Sequence, residues 1–238
     1  MENSENKSLI STGSSNMAKT EKLLSITQKI LSEIKPQYES VRIGNQEWMT
    51  RNLDVDRFRN GDLIPHIESD KEWEKAGEKA QPAWCYYDNN PENGKKYGKL
   101  YNWYAVNDPR GLAPEGFHVP SKEEWTILEE YSGRDVAGHK MKSVDGWEEF
   151  MDEDGKIQNG NGNNSLGFNA LPGGFRDIEG SFIGLGDHSN FWFNWGISAF
   201  FITLKGYEYI LDWNDMNIAY FSEFGASVRC LRDDYLSI

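Results

Sequence analysis

The chain has 238 residues, 38% of them hydrophobic and 13% aromatic, enough apolar surface for one large domain or two small ones. Its formal charge of −13 argues against nucleic-acid backbones and anionic membranes as partners, because both call for clustered Lys and Arg. No window approaches the roughly 18 consecutive apolar residues of a membrane span. The N-terminus lacks the basic start and apolar run of a secretory signal, so the sequence reads as cytoplasmic, or as a chain lacking its leader.

Residues 1–16 are rich in Ser, Asn and Glu and bury too little apolar surface to order themselves, so a disordered tail is expected there. A segment at 17–40 follows, in which Leu23, Leu24, Ile26, Ile30, Leu31 and Ile34 recur at helical spacing before Pro36. The pattern predicts an amphipathic helix over 18–35. Either it packs on its own domain, or it serves self-association or docking into a larger complex.

The main domain is expected over 41–238. Val41 and Ile43 alternate across Gly44-Asn45 from Trp48, which predicts a hairpin. Ser69 to Glu72 has a capping-box pattern and predicts a short helix to about Ala80; Leu100, Trp103 and Tyr104 mark one apolar face of another. Ser121-Lys122-Glu123-Glu124 repeats the box, with Trp125, Leu128 and Tyr131 behind it and Gly133 as the stop. In the second half Asn159 to Asn164, Pro172-Gly173-Gly174 and Gly184-Leu185-Gly186 read as turns between short strands. The strand candidates are 200–204, 207–211 and 227–231. Short helices early and short antiparallel strands late make the expected class α+β. Nine Trp among 23 Gly point to a core of large rings joined by many turns.

Five segments together are similar to one known family. They are Val41 to Leu53 (VRIGNQEWMTRNL), Tyr97 to Trp103 (YGKLYNW), His118-Val119-Pro120-Ser121, Ala170 to Arg176 (ALPGGFR) and Gly225 to Leu231 (GASVRCL). In this order they resemble the Fibrobacter succinogenes major paralogous domain, over about Val41 to Asp233. The resemblance implies a C-type-lectin-like fold with twisted antiparallel strands and long irregular loops, related to the formylglycine-generating enzymes. It also implies a source among Fibrobacteres and Bacteroidetes, where members are commonly secreted or lipid-anchored and have no defined molecular function. Where members usually carry Trp-Trp-Ser-Ser/Thr, this chain has Phe191-Trp192-Phe193-Asn194-Trp195.

An enzyme on the formylglycine-generating scaffold would need two closely spaced thiols. Cys85 and Cys230 lie far apart, and read as two reduced core residues or as one disulfide. With no Cys-x-x-Cys pair and no His cluster, a zinc site is not expected. His118 lies inside the family's His-Val-Pro-Ser motif and reads as a hydrogen-bonded structural residue. Arg176 and Arg229 could anchor anions, but read first as guanidiniums that fasten loops. Asp152-Glu153-Asp154-Gly155 reads as an acidic turn, because Lys156 stands where an EF-hand ligand belongs. No cofactor is expected; calcium at Asn214 and Asp215, in Trp213-Asn214-Asp215, is the lesser reading, since hard oxygen ligands would suit that ion.

Recognition is expected from residues 188–224, where rings alternate with amides. The candidate ligand-binding residues are Trp195, Tyr209, Trp213, Asn194, Asn214 and Asn217, with Trp192 buried beneath them. The expected function is a non-catalytic module that binds protein or glycan through these loops. The alternatives are a structural subunit docked by the 18–35 helix and the enzyme just described.

Overall fold

The computed structural model describes residue 22 and residues 38–196, 198–214 and 222–233. The expected tail at 1–16 and, apart from Lys22, the expected helix at 18–35 lie outside them. The chain divides into two compact units, Met1–Tyr38 and Glu39–Ile238, of which the second carries the architecture below.

Mixed short helices and several small sheets make the fold α+β. Ser40–Ile43 (β1) and Gln46–Met49 (β2) form the predicted hairpin, closed by Gly44 at φ +60°. After β2 come helix α1 (Asp70–Glu78), strand β3 (Trp84–Cys85), helix α2 (Pro91–Tyr97), strand β4 (Leu100–Tyr101) and helix α3 (Trp103–Val106). Strand β5 (Phe117–His118) then leads into α4 (Lys122–Ser132) and α5 (Ala137–Met141). The named elements after α5 are all strands, joined by irregular segments: β6 (Glu149–Met151), β7 (Ile157–Asn159), β8 (Gly173–Arg176), β9 (Phe182–Leu185), β10 (His188–Trp195), β11 (Ser198–Lys205), β12 (Asp212–Asn214) and β13 (Leu231–Arg232).

One sheet has the order β1-β2-β13-β5, the larger one β12-β11-β10-β8-β9, and β3-β4 and β6-β7 are separate ribbons. The long β10–β11 hairpin runs in register from His188↔Lys205 to Trp195↔Ser198 and is buried over most of its length. Between the sheets Trp48, Trp125, Phe168 and Phe191 form a ring cluster, with Trp48 4.8 Å from Trp125 and Trp125 5.7 Å from Phe191. Each such ring buries roughly 150–250 Å², an upper estimate of about 4–6 kcal/mol at ~25 cal/mol per Å². That exceeds what the two- to four-residue strands of the first sheet gain from their own ladders, so the rings, not the ladders, hold that sheet in place. A second cluster around Trp73, Ala83, Cys85, Tyr87 and Leu100 anchors α1 and β3.

One of the two predicted capping boxes forms. Ser121 Oγ accepts from the Glu124 N–H and Glu124 Oε2 accepts from the Ser121 N–H, a complete capping box on α4. Ser69 begins α1 without a side-chain cap. Leu100 belongs to β4 and not to the expected helix, which starts only at Trp103 under an Asn102 cap.

Three strand and turn expectations are corrected. Residues 207–211 form a bend and not a strand, because the Lys142 ammonium gathers the carbonyls of Lys205, Gly206 and Glu208 and turns the chain around itself. Gly173-Gly174 and Gly184-Leu185 lie inside β8 and β9; a Cβ on Gly174 would stand 2.5 Å from the Ile183 carbonyl and from the Tyr87 ring, so close packing explains this pair better than a turn does. Of residues 227–230 only Ser227 forms a bridge, to Phe191 of β10, and 228–230 run irregularly before the chain joins β2 at Leu231. The acidic turn is seen as expected, with Asp152 Oδ1 accepting from the Asp154 and Lys156 N–H groups between β6 and β7.

Candidate functional site

The β10–β11 hairpin carries Phe191, Trp192 and Phe193 fully into the core, where the Trp192 indole donates to the Tyr101 carbonyl at 2.7 Å. Trp195, at the end of β10, emerges from it and is 43% exposed, beside Gly196 at φ +67°. Its ring leans on Phe200 at 4.9 Å, and Lys122 Nζ sits 3.6 Å from its centroid. The capping box places Lys122 as the first residue of α4, so the cation is held over the indole by a well-defined helix start.

Trp213 stands opposite Ile202 in β12 and is half-buried. Its indole donates to Glu129 Oε1 at 3.1 Å, its ring meets Phe193 edge-on at 5.6 Å, and Lys122 Nζ is 5.9 Å from its centroid. Trp195, Lys122, Trp213 and Glu129 therefore form a row of alternating ring and charge beside α4. A ligand stacking on Trp195 competes with Lys122, and a cation–ring contact at an exposed site is worth only about 0.5–1 kcal/mol, so the exchange is inexpensive.

The other expected recognition residues are divided among different surroundings. Asn194 uses its side-chain amide on the Val119 carbonyl at 3.2 Å and its backbone N–H on Pro120 at 2.8 Å, so it fastens β10 to the His118–Ser121 segment. Tyr209 is 54% exposed and meets His139 of α5 edge-on, 5.1 Å between centroids. Asn214 lies in β12 opposite Phe201; Asp215 and Asn217 lie outside the described residues. Lys122 and Glu129 were not singled out from the sequence, and the only signal for Lys122 was its place inside the capping box.

His118 bridges two carboxylates, Nε2 to Glu124 Oε1 at 2.8 Å and Nδ1 to Asp233 Oδ1 at 2.7 Å. The Glu124 bond and then the Asp233 bond raise its pKa against the opposing effect of burial. It thus ties β5, α4 and the end of β13 together, the structural role expected of it. Arg176 and Arg229 are 0% and 1% exposed and fasten loops by bonding backbone carbonyls. Cys85 and Cys230 are buried and unpaired, and burial pushes both thiols up to about 12. Among the described residues no three His, Cys, Asp or Glu side chains gather where they could hold a metal, and no helix is long and apolar enough to cross a membrane.

No curated protein and no solved structure matches the chain. The segments that carry the resemblance are those that close the fold: β1–β2, the Asn102-capped turn, the His118 bridge, β8 with Arg176, and the segment before β13 that bears Arg229. The description of the Fibrobacter succinogenes major domain matches residues 41–232, nearly all of this closed unit, and the chain belongs to that family.

Proposed function

We propose that the domain is a non-catalytic binding module on a C-type-lectin-like scaffold, taking a protein or glycan ligand on the Trp195 face. The observation that carries this reading is the half-exposed Trp195 ring, backed by Phe200, with the Lys122 ammonium over it, set at the tip of an otherwise buried hairpin. A flat ring backed by rigid sheet stacks on a sugar face or fills a protein pocket with little loss of conformational freedom. Trp213, half-buried and donating to the buried Glu129, widens the face with a second indole. The lectin-like scaffold is supported by β13, from the end of the domain, inserting between β2 and β5, and by the short strands around a ring-filled core. Two buried thiols held protonated up to about 12 weigh against thiolate chemistry.

A glycan array probed with the full chain and with Trp195→Ala tests the reading. Sugar binding lost in Trp195→Ala, with the unfolding midpoint unchanged, supports it. Binding that survives both Trp195→Ala and Lys122→Ala moves the ligand away from this face.

A further inference from the structure

A cavity of about 340 Å³ opens where residues 50–52 after β2, Lys96 of α2, Asn169, Leu171 and Arg229 meet, with Glu39 also in its wall. Its volume falls at the lower end of small-molecule sites. Arg229, buried at its inner wall, bonds Asn52 Oδ1 through Nε at 3.0 Å and Nη2 at 2.6 Å, and the Met49 and Phe168 carbonyls through Nη1. Every one of these acceptors is neutral. The other buried guanidinium, Arg176, has the Asp70 carboxylate at 2.9 Å; Arg229 has no carboxylate partner among the described residues. A buried charge without a counter-charge is costly, and here burial draws the guanidinium pKa down to about 9.

The remaining charged wall residues are Arg51, Lys96 and Glu39, so three cations face one carboxylate on a chain whose formal charge is −13. Lys96 is exposed, touches the Tyr97 ring at 4.8 Å and makes no ion pair among the described residues. Thr50 and the Asn169 amide add neutral donors, and Leu171 adds an apolar wall.

We propose that this cavity binds a small organic carboxylate, whose charge compensates Arg229 and meets Lys96 and Arg51 at the wall, with its apolar body against Leu171. The site shares no residue with the Trp195 face, so either assignment can fail without the other.

The test is a heteronuclear NMR titration of the full chain with sodium propionate, sodium succinate and inorganic phosphate, each against sodium chloride of equal ionic strength. The expected result is saturable shifts at Asn52, Asn169 and Arg229 with a carboxylate and not with chloride. Lys96→Gln should weaken that binding about fivefold and Glu39→Gln tighten it by a similar factor, the effect of one unit charge near the ligand. Both positions are exposed, so neither change endangers the fold. Equal shifts with chloride, saturable binding of phosphate alone, or carboxylate affinity unchanged in Lys96→Gln would each overturn the proposal.

Discussion

Arg176→Met removes the guanidinium that joins β8 to the segment before α1. Four of its five N–H groups are used: Nε on the Gly180 carbonyl at 2.9 Å, Nη1 on Ile67 at 2.8 Å, and Nη2 on Glu68 at 2.8 Å and Asp70 Oδ1 at 2.9 Å. Gly180 is buried, so its abandoned carbonyl costs about 1–3 kcal/mol, while the Ile67 and Glu68 carbonyls are nearer water and cost about 0.5–1 kcal/mol each. The guanidinium also lies 4.7 Å from the Trp73 ring centroid and 4.8 Å from that of Phe182, contacts that Met replaces only in part. The total is about 3–5 kcal/mol, a large share of the ~5–15 kcal/mol that holds a domain folded. Asp70 is 67% exposed, so Asp70→Asn should cost under about 1 kcal/mol; the carbonyls, not the ion pair, carry the anchor. Urea unfolding followed by Trp fluorescence should move the Arg176→Met midpoint down by roughly 1–2 M and leave that of Asp70→Asn almost in place. An Arg176→Met midpoint within 0.3 M of the wild type (roughly 1 kcal/mol), or an equal loss in both variants, would refute this reasoning.

His118 is raised above its ordinary value of 6.5, so its contribution to stability is complete below that value and is lost as pH climbs through the higher folded-state pKa. The stability gap between wild type and His118→Gln, from urea titrations at several pH values, should therefore narrow from pH 6 to pH 9; a gap that widens contradicts the bridge. Gly174→Ala combines φ +64° with a Cβ 2.5 Å from the Ile183 carbonyl and should cost about 3 kcal/mol or more in thermal unfolding. Gly61→Ala, at φ +91° in open space, should cost only about 1–2 kcal/mol, and parity between the two would remove the steric argument. Cys85 and Cys230 should resist a thiol reagent at pH 8 in the native protein and react together on unfolding; prompt labelling of either would contradict their burial.

What could be read from the sequence follows the range of the forces involved. The Ser121–Glu124 box and the Gly44-Asn45 hairpin are built from residues two to four apart, and both were legible. The family motifs supplied the longer-range order that periodicity does not contain. Residues 207–211 alternate like a strand, yet Lys142, bonding carbonyls 63 to 66 positions after it, decides their path, and no local pattern reports it. The glycines of β8 look like turn formers because sequence shows their freedom and not the Tyr87 and Tyr97 rings that need the space. The segment proposed for recognition stands out by composition alone, which picks out Trp195 but not Lys122, contributed by α4 and set over its ring. The cavity was least legible: Arg229 and Asn52 lie 177 residues apart, and neutral acceptors around a cation leave no signature in spacing.

The insertion of β13 between β2 and β5 also has a temporal meaning. Arg232 bonds Glu47 across 185 residues of sequence, and Leu231 pairs with both Trp48 and His118. At a synthesis rate of ~5–20 residues per second, β2 leaves the ribosome roughly 10–40 s before its neighbour exists. During that interval the first hairpin presents an unpaired edge. The first hairpin is therefore exposed to mispairing until β13 emerges, and pairing with β13 ends the exposure.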